Sequence, residues 1–285
     1  MASAPRSQKV LWAAAFLTLL ASSAVGAQQE QEGIYWYNDL KEAVKAAEQS
    51  NLPMMIDFWA DWCGPCKIMD AEVYPDPAVI AAFKGKMIGV RIHFDMQQEL
   101  ARKYNVPGLP YLSFANSYGT ELMHHRGLLE KDDLIAVVKA FPADVSEINR
   151  LDRALRQDKN HFPSLRDMGL KLREFGFYDA SNRFLDRAFK HRDSKKNLAE
   201  RETILYSMAQ NWLQLRDGKS AAARLEQCLQ EFPQSPRKPD FLLGLGRAYA
   251  LDKKPSRARK SLERLIAEFP GSPAAAQARD LLRFP

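Results

Sequence analysis

The chain has 285 residues, of which 46% are hydrophobic and 27% charged, and a formal net charge of +6 at pH 7. That composition excludes a disordered or fibrous protein, and the length makes two globular domains the default expectation. The charge is divided: residues 28–145 carry a net −6 and residues 146–285 a net +10, so an acidic partner would be steered to the second half. Basic residues there are interleaved with acids, and nucleic acid is not expected as a partner.

The chain starts with Arg6 and Lys9, continues into a nearly unbroken apolar run of twelve, Val10 to Ala21, and offers small residues at Val25-Gly26-Ala27. This reads as a cleaved export signal over residues 1–27. The alternative, a retained membrane anchor, needs roughly 20 apolar residues. No cysteine stands at the junction, so a lipid anchor is not indicated. The mature protein is expected to be periplasmic or secreted, where disulfides persist. Its three cysteines are too few for a disulfide framework.

Residues 28–33 are a polar lead. Ile34 to Tyr37 reads as an edge strand, with Asn38 as N-cap of a helix over Asp39 to Gln49. Asn51-Leu52-Pro53 breaks that helix before an apolar strand, Met54 to Phe58. A helix over Cys63 to Val73 follows, then a turn and short helix over Pro75 to Phe83, a strand over Met87 to Phe94 and a helix over Gln97 to Tyr104. Pro110 to Ala115, Leu122 to Arg126 and Leu129 to Ala140 complete the set as strand, strand, helix. Strands alternating with helices give a sheet with helices on its faces.

Cys63 and Cys66, at C-x-x-C spacing where a strand exits into a helix, lie on one helix face so that their sulfurs can meet. The spacing serves a redox pair or zinc. Zinc needs two further ligands, and no second cysteine pair supplies them. Asp57 interrupts its apolar run, either as an outward-facing strand residue or as a buried carboxylate put to use. His93, His124 and His125 have no metal partners at usable spacing and read as surface or strand residues.

In order and spacing, Asp57 to Lys67, then Asp95, then Tyr104 to Phe114 with its Gly108-Leu109-Pro110 step, then Gly127, closely resemble thioredoxin. The Trp59 to Cys63 flank and Pro53 also look like the periplasmic domain of transmembrane thiol reductases in bacterial envelopes. The resemblance covers about Ile34 to Phe141 and implies an α/β thioredoxin fold with a central mixed sheet. It implies no cofactor beyond the Cys63–Cys66 disulfide, and no metal.

Cys63 at the helix N-terminus is then the nucleophile, its thiolate favoured by unpaired amides and the helix dipole. Cys66, one turn in, is the resolving thiol. Pro65 in the first turn stiffens the pair, with Gly64 and Trp62 as flanks. The resemblance gives Asp57 the part of a buried acid that relays a proton to or from Cys66, desolvation raising its pKa. It makes Pro110 a cis-proline beside the dithiol, where client backbone pairs, and leaves Pro107 trans. Trp59 joins Trp62 in covering the site, or is a core aromatic. Arg91 lies near the family's buried lysine position but cannot give up its proton.

From Ser146 the chain reads as helical throughout. Gly169, Leu172, Ser181, Leu185 and Ala188 recur as Ala209, Trp212, Ala221, Leu225 and Cys228, and as Gly246, Tyr249, Ala258, Leu262 and Leu265. These offsets resemble the tetratricopeptide pattern, with a generic helical bundle as the alternative. Three copies span Phe162 to Ser272, flanked by a leading helix over Val145 to Arg156 and a capping helix over Ala274 to Leu282. The array's concave face is expected to expose Arg166, Arg173, Tyr206, Gln210, Leu243 and Arg247, as a groove for a protein or peptide or as a solvated face. Cys228 stands at a packing position and is expected to be buried.

The domains are therefore a signal over 1–27, a thioredoxin-like domain over 28–145 and an all-α helical repeat domain over 146–285. The expected function is an exported protein-disulfide oxidoreductase that reduces or exchanges disulfides of client proteins. A membrane thiol reductase would supply electrons, and the repeats would bind a partner or substrate. The competing expectation is an adaptor or chaperone-like protein in which the repeats do the work.

Overall fold

The computed structural model describes residues 33–142 and 144–283; the expected export signal and residues 28–32 of the lead lie outside the described residues. A five-stranded sheet is built from β1 (Trp36–Tyr37), β2 (Met54–Trp59), β3 (Ile88–His93), β4 (Tyr111–Ala115) and β5 (Glu121–Arg126), in the order β1-β3-β2-β4-β5. The strands β1, β3 and β2 run parallel, and β4 and β5 are antiparallel to their neighbours, which makes the sheet mixed.

Central β2 sorts its side chains by the two-residue period of a strand. Met54, Ile56 and Phe58 pack beneath α1 (Leu40–Ser50) with Leu40, Ala43, Ala47 and Tyr104. Met55 faces the opposite layer, among Met69, Val73, Leu112 and Phe114. Asp57, two residues on from Met55, faces that same layer. α3 (Pro77–Phe83) and α5 (Lys131–Ala140) contribute Val79, Leu134 and Val138 to it, while α4 (Gln98–Lys103) lies on the first face.

Two local expectations are corrected. Asp39, not Asn38, caps α1, its Oδ1 accepting from the Lys41 and Glu42 amides at 2.7 and 3.0 Å. The Asn38 backbone carbonyl instead accepts from Gln97 Nε2 at 3.3 Å. The helix expected over 63–73 is α-helical only as α2 (Gly64–Ile68) and continues as a π-helical turn over Met69–Val73. Such turns insert an extra residue into the ladder and re-aim side chains.

Beyond the sheet run α6 (Ser146–Gln157) and three helix pairs, α7 (Phe162–Glu174) with α8 (Tyr178–Lys190), α9 (Leu198–Gln214) with α10 (Gly218–Glu231), and α11 (Lys238–Leu251) with α12 (Pro255–Glu268). α13 (Pro273–Arg283) follows. The small residues of the repeat stand where partner helices cross: a Cβ on Gly169 would lie 2.5 Å from Leu185, and one on Gly246 2.5 Å from Leu262. Leu243, expected on the open face, is buried instead, because α13 closes over it with Ala274, Ala275 and Ala278.

The sheet and the helices share one core. Phe114, Phe141 and Phe177 form a chain of rings, at 6.2 and 5.1 Å, from β4 through the α5–α6 link to the start of α8. Polar groups close the same junction. Asn149 on α6 donates to Ser117 Oγ at 2.8 Å and Asn51 Oδ1 at 2.7 Å, and Asp152 accepts from Asn116 at 3.2 Å and Thr120 at 3.0 Å. Buried polar groups of this kind are costly unless satisfied, so the network pins α6 to the β4–β5 turn.

The tight crossing at Gly246 yields a test. Gly246→Ala should lower stability by about 1–3 kcal/mol by forcing a methyl into Leu262, read as a shift in the urea midpoint. Gly271→Ala, with nothing within 4 Å of the added carbon, should leave the midpoint near wild type.

Candidate functional site

The dithiol sits where β2 leaves the sheet. Cys63 is the N-cap of α2 and Cys66 lies one turn in, with Gly64 and Pro65 as the first helical residues. The two cysteines are joined by a disulfide, S–S 1.99 Å, and the Cys66 amide donates to Cys63 Sγ at 3.2 Å. Both are almost completely covered, among Ala60, Trp59, Phe94 and Leu109. Leu109 precedes Pro110 through a cis peptide bond, and the Gly127 amide donates to the Pro110 carbonyl at 2.9 Å. The structure thus brings Cys63, Cys66, Leu109 and Pro110 together.

Trp62 is 64% exposed and is held over the site by a bond from its indole N–H to Asp95 at 2.8 Å. Asp61 reaches His93 Nε2 at 3.2 Å, and the His93 ring meets Trp59 edge-on at 4.8 Å. His93, read from sequence only as a surface or strand residue, therefore adjoins the site. Trp59 is half-buried, and the Arg91 guanidinium stacks 4.5 Å from its ring centre.

Asp57 is 1% exposed on β2, directly beside Arg91 on β3. Its Oδ2 lies 3.3 Å from Arg91 Nε, an ion-pair distance without hydrogen-bond alignment. Arg91 extends to Asp70 at 2.9 Å on the π-turn and lies near the rings of Trp36 and Tyr74. Burial is the dominant influence on Asp57 and raises its pKa to about 6, against the opposing pull of the Arg91 charge. The Tyr74 hydroxyl beside it is raised as well, first by burial and then by the Asp57 charge. No local pattern marks Trp36, Asp70 and Tyr74, which meet Arg91 only through the fold.

Among the described residues no three His, Cys, Asp or Glu side chains gather as a metal would require, and no helix is long and apolar enough to cross a membrane. Cys228 is fully buried, and burial pushes its thiol up to about 12.

The residues expected on the concave face fall on α7, α9 and α11, the first helices of the three pairs, but are not all free. Arg166 is paired with Asp167 at 2.8 Å and Glu200 at 2.7 Å. Tyr206 packs on Phe241 at 5.3 Å, and Arg173 and Gln210 are half-buried. Exposed Arg247 donates to Gln277 at 2.8 Å.

Residues 37–140 match the thioredoxin family model and residues 213–282 the tetratricopeptide repeat model. The chain belongs to the thioredoxin family, with tetratricopeptide repeats C-terminal to that domain. It is 34% identical over 88 residues to a thioredoxin of Pseudomonas aeruginosa, covering 31% of this chain and 78% of that one. It is 44% identical over 63 residues to thioredoxin 1 of Chlorobaculum tepidum, covering 22% of this chain and 59% of the relative. It is also 33% identical over 86 residues to the thiol:disulfide interchange protein DsbD 2 of P. aeruginosa, covering 29% of this chain and 15% of that protein.

The raised Asp57 pKa predicts how stability changes with pH. Between the ordinary carboxylate value of 3.8 and about 6, the folded protein keeps a proton that the unfolded chain releases. Stability is therefore lost as pH rises through that window, and a penalty of about 3 kcal/mol stands above it. Asp57→Asn should be more stable than wild type at pH 8 by much of that amount, with the gap closing by pH 4 in urea unfolding.

Proposed function

We propose that the protein is an exported thiol:disulfide oxidoreductase acting on client proteins, with its helical repeats holding a partner or substrate. The observation that carries the reading is the Cys63–Cys66 disulfide at the N-terminus of α2, beside Pro110 and on the same side of the sheet as buried Asp57. The names of the relatives support the chemistry, and the apolar run at residues 10–21 supports export.

Starting from the reduced dithiol, the Cys63 thiolate attacks one sulfur of a client disulfide and the other client sulfur leaves as a thiolate. Cys66 then gives its proton to Asp57 and attacks Cys63 Sγ, releasing the second client thiolate. Two electrons pass to the client and the dithiol becomes the disulfide seen here; one client thiolate takes the Cys66 proton back from Asp57, and the other takes from water the proton that Cys63 gave up on ionising. With a pKa of about 6, Asp57 is a base at neutral pH that is only weakly committed to its charge. The disulfide must then be reduced again by a donor dithiol, which in an envelope compartment is a membrane thiol reductase.

Cys66→Ser should stop the cycle at the mixed disulfide, so that client proteins accumulate on Cys63 and separate from it only under reducing conditions. No trapped species, together with a wild-type dithiol that neither reduces insulin nor exchanges with glutathione, would favour the adaptor reading. Asp57→Ala should slow resolution of the mixed disulfide by at least about tenfold, and equal rates from about pH 6 to about pH 9 would remove Asp57 from the proton path.

A further inference from the structure

A cavity of about 560 Å³ opens between the segment leading to Pro110 and the face of α8 beside β5. Lys103, Arg126, Arg183 and Arg187 line it, all exposed at its mouth. Its one carboxylate among the described residues, Glu121, is already engaged, accepting from Tyr111 and Ser113 at 2.9 Å and lying 3.5 Å from Arg183. Arg156, also in the lining, is paired with Asp152. Lys103 lies over the Tyr104 ring and Arg187 donates to the Lys159 carbonyl; none of Lys103, Arg126 and Arg187 is paired with a carboxylate among the described residues. The cavity is therefore strongly positive, its cations drawn from both the acidic first half and the basic second half of the chain.

It also lies next to the redox chemistry. Leu109 packs against the cluster that holds both cysteines, Tyr111 lines the cavity, and Arg126 pairs with Tyr111 across β4 and β5. Tyr111 of the cavity wall follows Pro110 directly in the chain. The cations are long, exposed and spread over α4, β5 and α8, which suits charge distributed along a polypeptide. A single small anion would call for convergent, buried donors.

We propose that this cavity receives an acidic segment of the client polypeptide, a run of Asp or Glu a few residues from the cysteine under attack. The proposal rests on the dithiol reading above and makes client choice a matter of charge at the junction of sheet and helices. Complementary charge acts mainly on encounter, so it should raise kcat/KM and fade as salt screens it.

The test uses the full chain in its reduced form and disulfide-bridged peptides of equal length with acidic, neutral or basic flanks. At an ionic strength of about 0.01 M the acidic peptide should be preferred over the neutral one by roughly tenfold in kcat/KM, and at about 1 M the preference should vanish. Combining Lys103→Gln, Arg126→Gln and Arg187→Gln should bring the ratio near one. Combining Lys253→Gln, Arg259→Gln and Lys260→Gln removes equal charge from the far end of the array and should keep the preference. A wild-type ratio near one, or a preference kept by the cavity variant, overturns the cavity's role and leaves the dithiol reading standing. Failure to reduce even the neutral peptide overturns the dithiol reading and this proposal with it. Loss of the preference on adding phosphatidylserine vesicles, but not on adding phosphatidylcholine vesicles, reassigns the cavity to an anionic membrane surface and overturns the peptide assignment.

Discussion

A carboxylate buried in the central strand has to be met by a cation, and Arg91 meets Asp57 from the neighbouring strand. The rest of the site is arranged around that pairing. A guanidinium is a lasting cation, and the group whose pKa burial moves beside it is the Asp57 carboxyl. The guanidinium is enclosed by Trp36, Trp59 and Tyr74, whose ring faces favour a cation, and it reaches Asp70 on the π-turn. One side chain thus links three parallel strands to the segment that follows the redox helix. The arrangement opposes desolvation without cancelling it, and Asp57 is left poised near neutrality.

Much of this was legible from local pattern. Cys63 and Cys66 announce themselves by spacing, Met54 to Phe58 by an unbroken apolar run, and the repeats by small residues at fixed offsets, which the tight crossings at Gly169 and Gly246 explain. What was not legible depends on partners distant in the chain. The surroundings of Arg91 gather residues 36, 57, 70, 74 and 59, and nothing in the neighbourhood of any one of them names the others. Leu243 was misplaced because the pairwise repeat pattern does not say that α13 folds back over it. Asn38 and Asp39 are both capping residue types, and backbone geometry chose the second. The acidic and basic halves were visible as a tally, but the cationic cavity draws on both, with Lys103 and Arg126 from one and Arg183 and Arg187 from the other.

The junction also changes how the chain's two halves relate. A helix over Val145 to Arg156 was expected to lead into the repeats. Observed α6 does so, yet it also inserts Asn149 and Asp152 into the polar turn between β4 and β5. Since those groups are satisfied only when the helix is seated, the orientation of the array relative to the sheet is set by hydrogen bonding as well as by apolar packing. A surface that spans the junction therefore keeps its shape, as a composite specificity site requires.

Cys228 carries a consequence of its own. Its thiol is fully enclosed between repeat helices and held in the protonated form, while the other two cysteines are joined to each other in a disulfide. In the native state two of the three sulfurs are bonded to each other and the third is shut away from solvent. The third becomes reactive when α9 and α10 part, so its labelling rate is an internal clock for breathing of the helical array, readable in the same molecule as the redox state of the dithiol.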